Sequence, residues 1–205
     1  MGRLPCFPAA AGWRPFIFYL AFVLVVEGFG AAMQAAWRQE HQENNYSYYN
    51  ALIAVQAVFF TWLFGRIFQH QQRSRLITRI VLGCFLVVFA TEALSYPFKT
   101  YYVFSRILLA AALLFACCSY FLDLLRSNTT TSPLRVPYFW IVTGLFFFYL
   151  GTVPFVAFRK QIAAYRSAHP QSQIILILTG ASVVLYTCWI IAFLCKKKEP
   201  TWKPS

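Results

Sequence analysis

The sequence predicts an all-α protein, a polytopic bundle of six transmembrane helices. Three observations lead to this prediction. Of the 205 residues, 60% are hydrophobic and only 12% are charged, whereas an ordinary soluble domain has about 25% charged residues. The apolar residues occur in blocks of about the 20 residues that a helix needs to cross a bilayer. The blocks also lack the alternation of apolar and polar residues that is typical of membrane-barrel strands.

Six such blocks, separated by short polar segments, account for most of the chain. Because a bilayer offers no water to backbone amides, each block is expected to be an α-helix. Too few residues remain for a soluble domain, so the chain divides into an N-terminal segment 1–14, a membrane domain 15–195 and a basic tail 196–205. The predicted spans are 15–37, 49–69, 76–96, 102–125, 136–158 and 173–195.

The first block also has features of a secretory signal, because two arginines precede its apolar run. A signal peptide requires small residues at the last and third-last positions before its cleavage site. The pairs Met33 with Ala35 and Gln34 with Ala36 do not satisfy this requirement, and the apolar segment continues too far. The prediction is therefore a retained helix.

Lysine and arginine residues are distributed unequally between the two sides of this arrangement. Loops rich in these residues tend to remain cytoplasmic, so both termini are predicted to be cytoplasmic. The formal net charge of +12 fits a contact between the basic segments and anionic lipid headgroups. Nucleic-acid binding is not expected, since no soluble domain is left to present a basic patch. The cytoplasmic side would hold twelve of the 18 basic residues, namely Arg3, Arg14, Arg66, Arg73, Arg75, Arg79, Arg126, Arg135, Lys196, Lys197, Lys198 and Lys203.

The sequence contains no pattern typical of a catalytic or metal site. HExxH, GxSxG and a phosphate-binding glycine loop are all missing from it. The three histidines are scattered, and the vicinal pair Cys117 and Cys118 points apart on a helix, so neither set favours a metal or haem site. We therefore expect a protein that is not an enzyme and that holds no cofactor and no metal.

Glu27 is the most unusual residue in the first span. A charged residue near mid-membrane costs about 2.5–3.5 kcal/mol on insertion scales, so Glu27 is expected to be protonated, paired or directed towards a wet interior. Gly28, Ala32 and Ala36 recur every four residues beside it and predict a face that another helix approaches closely. We expect Glu27 to face the bundle interior near Gln56 of the second span.

Other polar residues occur at corresponding depths in the neighbouring spans. Glu92 near the outer end of span 3 and Arg106 near the outer end of span 4 are candidates for an ion pair. Such a pair either fixes the register of the two helices or contributes to a ligand site. In span 5, Gly144 and Gly151 lie seven residues apart and predict a second helix-packing face, with a cavity-lining role as the alternative.

Short motifs occur together in three regions between residues 15 and 195. They are Glu27-Gly28 in the first span, Asn45 with Tyr49-Asn50 before the second, and Phe139-Trp140 with Gly144, Tyr149 and Gly151 in the fifth. In this combination the chain resembles a family of uncharacterised multi-pass membrane proteins of Bacteroidetes-type bacteria, which often accompany sensor histidine kinases. The resemblance implies a seven-helix, sensor-like or accessory module of the bacterial inner membrane, of which this chain matches the last six helices.

Together these features favour a non-enzymatic sensory or signalling-associated membrane protein. Glu27, Gln56, Glu92 and Arg106 are expected to contribute to a site for a small ligand or a lipid in its outer half. The alternative is a small proton-linked transporter that uses Glu27, although spans 1–3 and 4–6 show no convincing internal repeat. The expected partners are the lipid bilayer and a sensor kinase or another membrane signalling protein.

Overall fold

A computed structural model defines the arrangement of the helices. It describes residues 13–37, 46–68, 72–95, 100–126, 133–158, 161–162, 165 and 174–197. The prediction of an all-helical chain is confirmed for this part, which contains long helices and no strand. The six long helices are α1 (Trp13–Trp37), α2 (Tyr46–Ile67), α3 (Gln72–Ser95), α4 (Val103–Arg126), α5 (Pro137–Ala157) and α6 (Ile174–Lys197), with a 3₁₀ turn at Pro133–Arg135 before α5.

Four of these helices are long and apolar enough to cross a membrane. They are Tyr49–Ile67 within α2, all of α4 and α5, and Leu176–Cys195 within α6. The apolar stretches of α1 and α3 are shorter, Pro15–Phe29 and Ile80–Ser95.

Large apolar side chains cover the outside of the bundle as well as its core. Helices that are apolar on all sides are typical of membrane spans or of the interior of large proteins. Here every long helix exposes large apolar side chains, so its surface suits a hydrocarbon environment better than water. Examples, one from each helix in order, are Leu24, Val58, Leu94, Phe104, Phe147 and Ile190.

The tightest contact in the bundle lies between α5 and α6. A β-carbon built on Gly144 would stand 2.9 Å from Cβ of Cys188 and 3.2 Å from the carbonyl oxygen of Leu185. One built on Gly151 would stand 3.4 Å from Cβ of Ala181. Both glycines of span 5 therefore lie against α6, and the missing side chain at Gly144 is what allows the two backbones to approach.

Helix α1 packs differently, through aromatic side chains. Tyr19 stacks on Phe59 of α2 with ring centroids 3.7 Å apart, and Phe16 meets Trp189 of α6 edge-on at 5.2 Å. Rings of this size hold the helix axes apart. The close approach expected at Gly28 is not present, because no atom lies within 4 Å of a β-carbon built there. The side chains of Ala32 and Ala36, the other members of that predicted face, lie outside the described residues.

Candidate functional site

Asn50 joins the beginning of α2 to the segment that leads into α4. Its side chain is fully buried. Its Nδ2 donates to the carbonyl oxygen of Thr100 over 2.8 Å, and its Oδ1 accepts from the backbone N–H of Tyr102 at 3.1 Å. One amide thus satisfies a backbone acceptor and a backbone donor that a helix would not otherwise pair. Sequence reasoning did not single out Asn50 as a site residue, although an asparagine at the start of an apolar helix was a signal for such a role.

Glu92 caps the N-terminus of α4 from the end of α3. Its two carboxylate oxygens accept from the backbone N–H groups of Phe104 and Ser105, over 3.1 and 2.9 Å. The Ser105 hydroxyl also donates to this carboxylate. The first turn of a helix has N–H groups without partners in the helix and carries partial positive charge. The Glu92 side chain therefore satisfies both the hydrogen bonding and the charge of this helix start.

This arrangement corrects the expected ion pair between Glu92 and Arg106. The two side chains form no ion pair, although both are described. Arg106 instead donates from Nη1 to Oε1 of Gln56 over 2.9 Å. The reason is local: the carboxylate binds the amides at the start of α4, and Arg106, one residue beyond Ser105, extends towards α2. The start of α2, the end of α3 and the start of α4 thus meet at one end of the bundle, the end predicted to face away from the cytoplasm and called the outer end below.

Two tyrosines complete the polar surroundings of Arg106. The Tyr19 hydroxyl interacts with the Gln56 side chain, and both Tyr19 and Tyr149 lie close enough to Arg106 to interact with its charge. Both tyrosines are buried, at 6% and 2% exposure. Arg106, Gln56, Tyr19 and Tyr149, here called the Arg106 cluster, come from four different helices. Sequence reasoning missed the two tyrosines because span tyrosines are abundant and nothing in the pattern distinguishes these two.

The hydrogen bonding of Arg106 is incomplete within the described part of the chain. A guanidinium group carries five N–H donors and a permanent charge. Here the described residues provide one hydrogen-bond acceptor, the neutral amide of Gln56. The carboxylate of Glu92, the partner expected from the sequence, is already bound to the start of α4. The cluster therefore holds a half-buried positive charge that no carboxylate of the described residues neutralises.

Glu27 lies away from this cluster. It is exposed, and its Oε2 accepts a long hydrogen bond of 3.4 Å from the Tyr186 hydroxyl of α6. The expected position beside Gln56 is therefore not the observed one, because the interior position that faces Gln56 belongs to Tyr19, two turns earlier in α1.

A cavity of about 50 Å³ lies between α2, α3 and α4, towards the end opposite the Arg106 cluster. Its walls are almost entirely apolar, with Thr61 and Ser119 as the polar exceptions. The Thr61 hydroxyl is already bound to the carbonyl oxygen of Ala57. The cavity therefore offers little for the recognition of a polar ligand.

No metal site is formed by the described residues, since no three His, Cys, Asp or Glu side chains come together there. In comparisons with known protein families, curated proteins and solved structures, the chain shows no significant match.

Proposed function

We propose that the chain is a six-span integral membrane protein, non-enzymatic and receptor-like, whose Arg106 cluster binds an anionic group of a small ligand or lipid in its outer half. The single observation that carries this proposal is the half-buried charge of Arg106, which is bonded to the neutral amide of Gln56. Carboxylate and phosphate groups match the planar donor geometry of arginine better than any neutral acceptor. The chemistry of the site thus favours a carboxylate or a phosphate.

Helix length supports the proposal of six spans. Helices α1 and α3 have shorter apolar stretches than the other four, but they contain 25 and 24 residues. At 1.5 Å per residue, 24 residues extend over about 36 Å, more than the hydrocarbon thickness of about 30 Å. With six spans, the distribution of basic residues favours cytoplasmic termini. The proposed location is the inner membrane of a bacterium.

A signalling role rests on the position of the cluster between helices. Gln56 belongs to α2 and Arg106 to α4, and Gln56 also contacts Tyr19 of α1. An anion that bound Arg106 would compete with Gln56 and change the contacts among these three helices. A ligand that prefers one of two helix arrangements shifts their populations, and a membrane partner such as a sensor kinase would detect that shift.

Binding of defined anions to the purified full-length chain in nanodiscs tests the proposal. The probes are inorganic phosphate and acetate in nanodiscs of phosphatidylcholine, and nanodiscs that contain phosphatidylglycerol without added anion, with stabilisation against thermal unfolding as the readout. We expect at least one of these probes to stabilise the wild-type chain and to lose its effect in Arg106→Gln.

Arg66→Gln is the matched control. Arg66 is also half-buried, but it lies at the other end of α2 and its guanidinium stacks on Trp62 at 5.3 Å. The proposal requires Arg66→Gln to respond to the probes like the wild type. Equal responses of the wild type and Arg106→Gln to every probe would rule the anion site out, and a response to phosphatidylglycerol alone would identify the ligand as a lipid headgroup.

A second candidate function is proton-linked transport through Glu27. The observation in its favour is the exposed carboxylate of α1, which is bonded at 3.4 Å to a neutral hydroxyl. Proteoliposomes that contain a pH-sensitive dye would reveal proton movement under an imposed pH gradient. Transport predicts a flux that Glu27→Gln abolishes, whereas the receptor-like function predicts the same passive leak for both chains.

A further inference from the structure

Glu27 lies in a groove between α1 and α6 that has apolar sides. On α1 the exposed side chains beside it are Ile17 and Leu24, and on α6 they are Val183, Tyr186 and Ile190. Val183, Tyr186 and Ile190 follow one another at intervals of three and four residues, which keeps them on one side of α6. Ile17, Leu24 and Glu27 follow at intervals of seven and three residues, which keeps them on one side of α1. These five residues, with Glu27, define the α1–α6 groove. Its floor is aromatic, because buried Trp189 contacts both Phe16 and Tyr186.

The chain itself does not neutralise the Glu27 carboxylate within the described residues. The Tyr186 hydroxyl is neutral and its 3.4 Å hydrogen bond is long. No described lysine or arginine forms an ion pair with Glu27. Among the described arginines, Arg106 is bonded to Gln56 and the Arg66 guanidinium stacks on Trp62. An ionised carboxylate within the membrane is stabilised by a basic partner.

The same charge distribution excludes a second copy of this chain as the natural partner. A second copy would bring to this depth another carboxylate and no basic side chain from its described helices. A small soluble cation is also a poor match, since the sides of the groove are apolar. What fits is a long apolar element that carries one positive charge near its middle.

We propose that the α1–α6 groove is the docking surface for a transmembrane helix of a partner membrane protein, and that this helix places a lysine or arginine beside Glu27. The apolar sides of the groove would pack against the body of the helix. The carboxylate and the Tyr186 hydroxyl would both accept hydrogen bonds from its basic side chain. This inference rests on membrane insertion of the chain and is independent of anion binding at Arg106.

A designed peptide tests the docking directly. The probe is a 23-residue leucine–alanine helix with one central arginine, compared with the same peptide carrying leucine at that position. The full-length chain, with a fluorescent acceptor on a C-terminal tag, is reconstituted in phosphatidylcholine vesicles with donor-labelled peptide, and energy transfer measures association. We expect the arginine peptide to associate at least tenfold more strongly than the leucine peptide, and Glu27→Gln to remove that difference.

Two variants separate a specific groove from a general charge effect. In Glu27→Gln/Val58→Glu the carboxylate is moved to α2, at a side chain with 65% exposure, and we expect no recovery of the arginine preference. Tyr186→Phe should weaken the preference without abolishing it. The proposal would be overturned if the double variant recovered the arginine preference, or if both peptides associated equally with the wild type. It would also be overturned if the chain associated with itself and Glu27→Gln abolished that self-association. Equal thermal stability of wild type and Glu27→Gln serves as the folding check.

Discussion

Arg106 of α4 donates a hydrogen bond from its Nη1 to Oε1 of Gln56 on α2, over 2.9 Å. A permanently charged group is thus bonded to a neutral one, while among the described residues the neighbouring carboxylate of Glu92 caps a helix. The arrangement separates two roles that the sequence had combined. Glu92 stabilises the start of α4, and Arg106 bonds to Gln56.

The separate roles of Glu92 and Arg106 can be tested by comparing the stability of single and double variants. Because Glu92 and Arg106 form no ion pair, the losses of stability in Glu92→Ala and Arg106→Ala should add in the double variant. Glu92→Ala alone should cost about 0.5–2 kcal/mol, the usual effect of losing a helix cap. Thermal unfolding of the four chains in detergent measures the coupling. A coupling energy above about 1 kcal/mol would mean that the two side chains interact directly.

Gln56→Glu should neutralise Arg106 from within the chain. A carboxylate in place of the amide would form a charge-assisted hydrogen bond with the guanidinium, so anion binding should be lost while thermal stability is unchanged or raised. The same nanodisc binding assay measures the first effect and detergent unfolding the second. Retained anion binding in a stable Gln56→Glu chain would contradict the role given to the free charge of Arg106.

Asn50→Leu should destabilise the outer end of the bundle. It would leave the Thr100 carbonyl and the Tyr102 N–H without their side-chain partner. The Tyr102 N–H is buried, and a buried unsatisfied group costs about 1–3 kcal/mol. Hydrogen exchange at the Tyr102 amide should become faster in this variant. Unchanged exchange at Tyr102 would show that Asn50 does not hold this segment.

Gly144→Ala should separate α5 from α6. The added methyl group would meet a backbone oxygen at 3.2 Å and Cβ of Cys188 at 2.9 Å, and overpacking of this kind typically costs about 1–3 kcal/mol. Gly180→Ala, on α6, is the control because no atom lies within 4 Å of its added carbon. Unfolding in detergent should show a loss for the first variant and none for the second.

The orientation of the chain can be tested with a reporter that is active only in the periplasm. Fused after Lys203, it should remain silent, because the basic segments favour a cytoplasmic C-terminus. A fusion in the loop between α1 and α2 should be active and provides the positive control. Strong activity at the C-terminal fusion would overturn the proposed topology.

Helix positions could be read from the sequence because they depend on local composition. A block such as 102–125 is apolar over its whole length, and its helix, Val103–Arg126, begins and ends within one residue of that prediction. The depth of a polar residue follows from the same information. For this reason Gln56 and Arg106, predicted at similar depth below the outer ends of spans 2 and 4, are found in contact.

Patterns of small residues did not by themselves predict which helices pack closely. Gly144 and Gly28 both belong to repeating small-residue faces, yet Gly144 is pressed against α6 whereas nothing lies within 4 Å of Gly28. A small residue permits the close approach of another helix but does not bring one there. Large rings at Phe16 and Tyr19 set the distance of α1 from its neighbours, and their effect depends on how they pack in three dimensions.

The sequence by itself determined that this chain is helical, apolar on its surface and divided into six long helices, because each of these properties is a sum over neighbouring residues. Only the tertiary structure decided which groups bond to which. Glu92 had two possible partners, the Arg106 guanidinium and the amides at the start of α4, and Glu27 had two possible neighbours, Gln56 and Tyr186. The choice between them depends on helix rotation and on the path of the connecting segments, which bring together residues as distant in the chain as Glu27 and Tyr186.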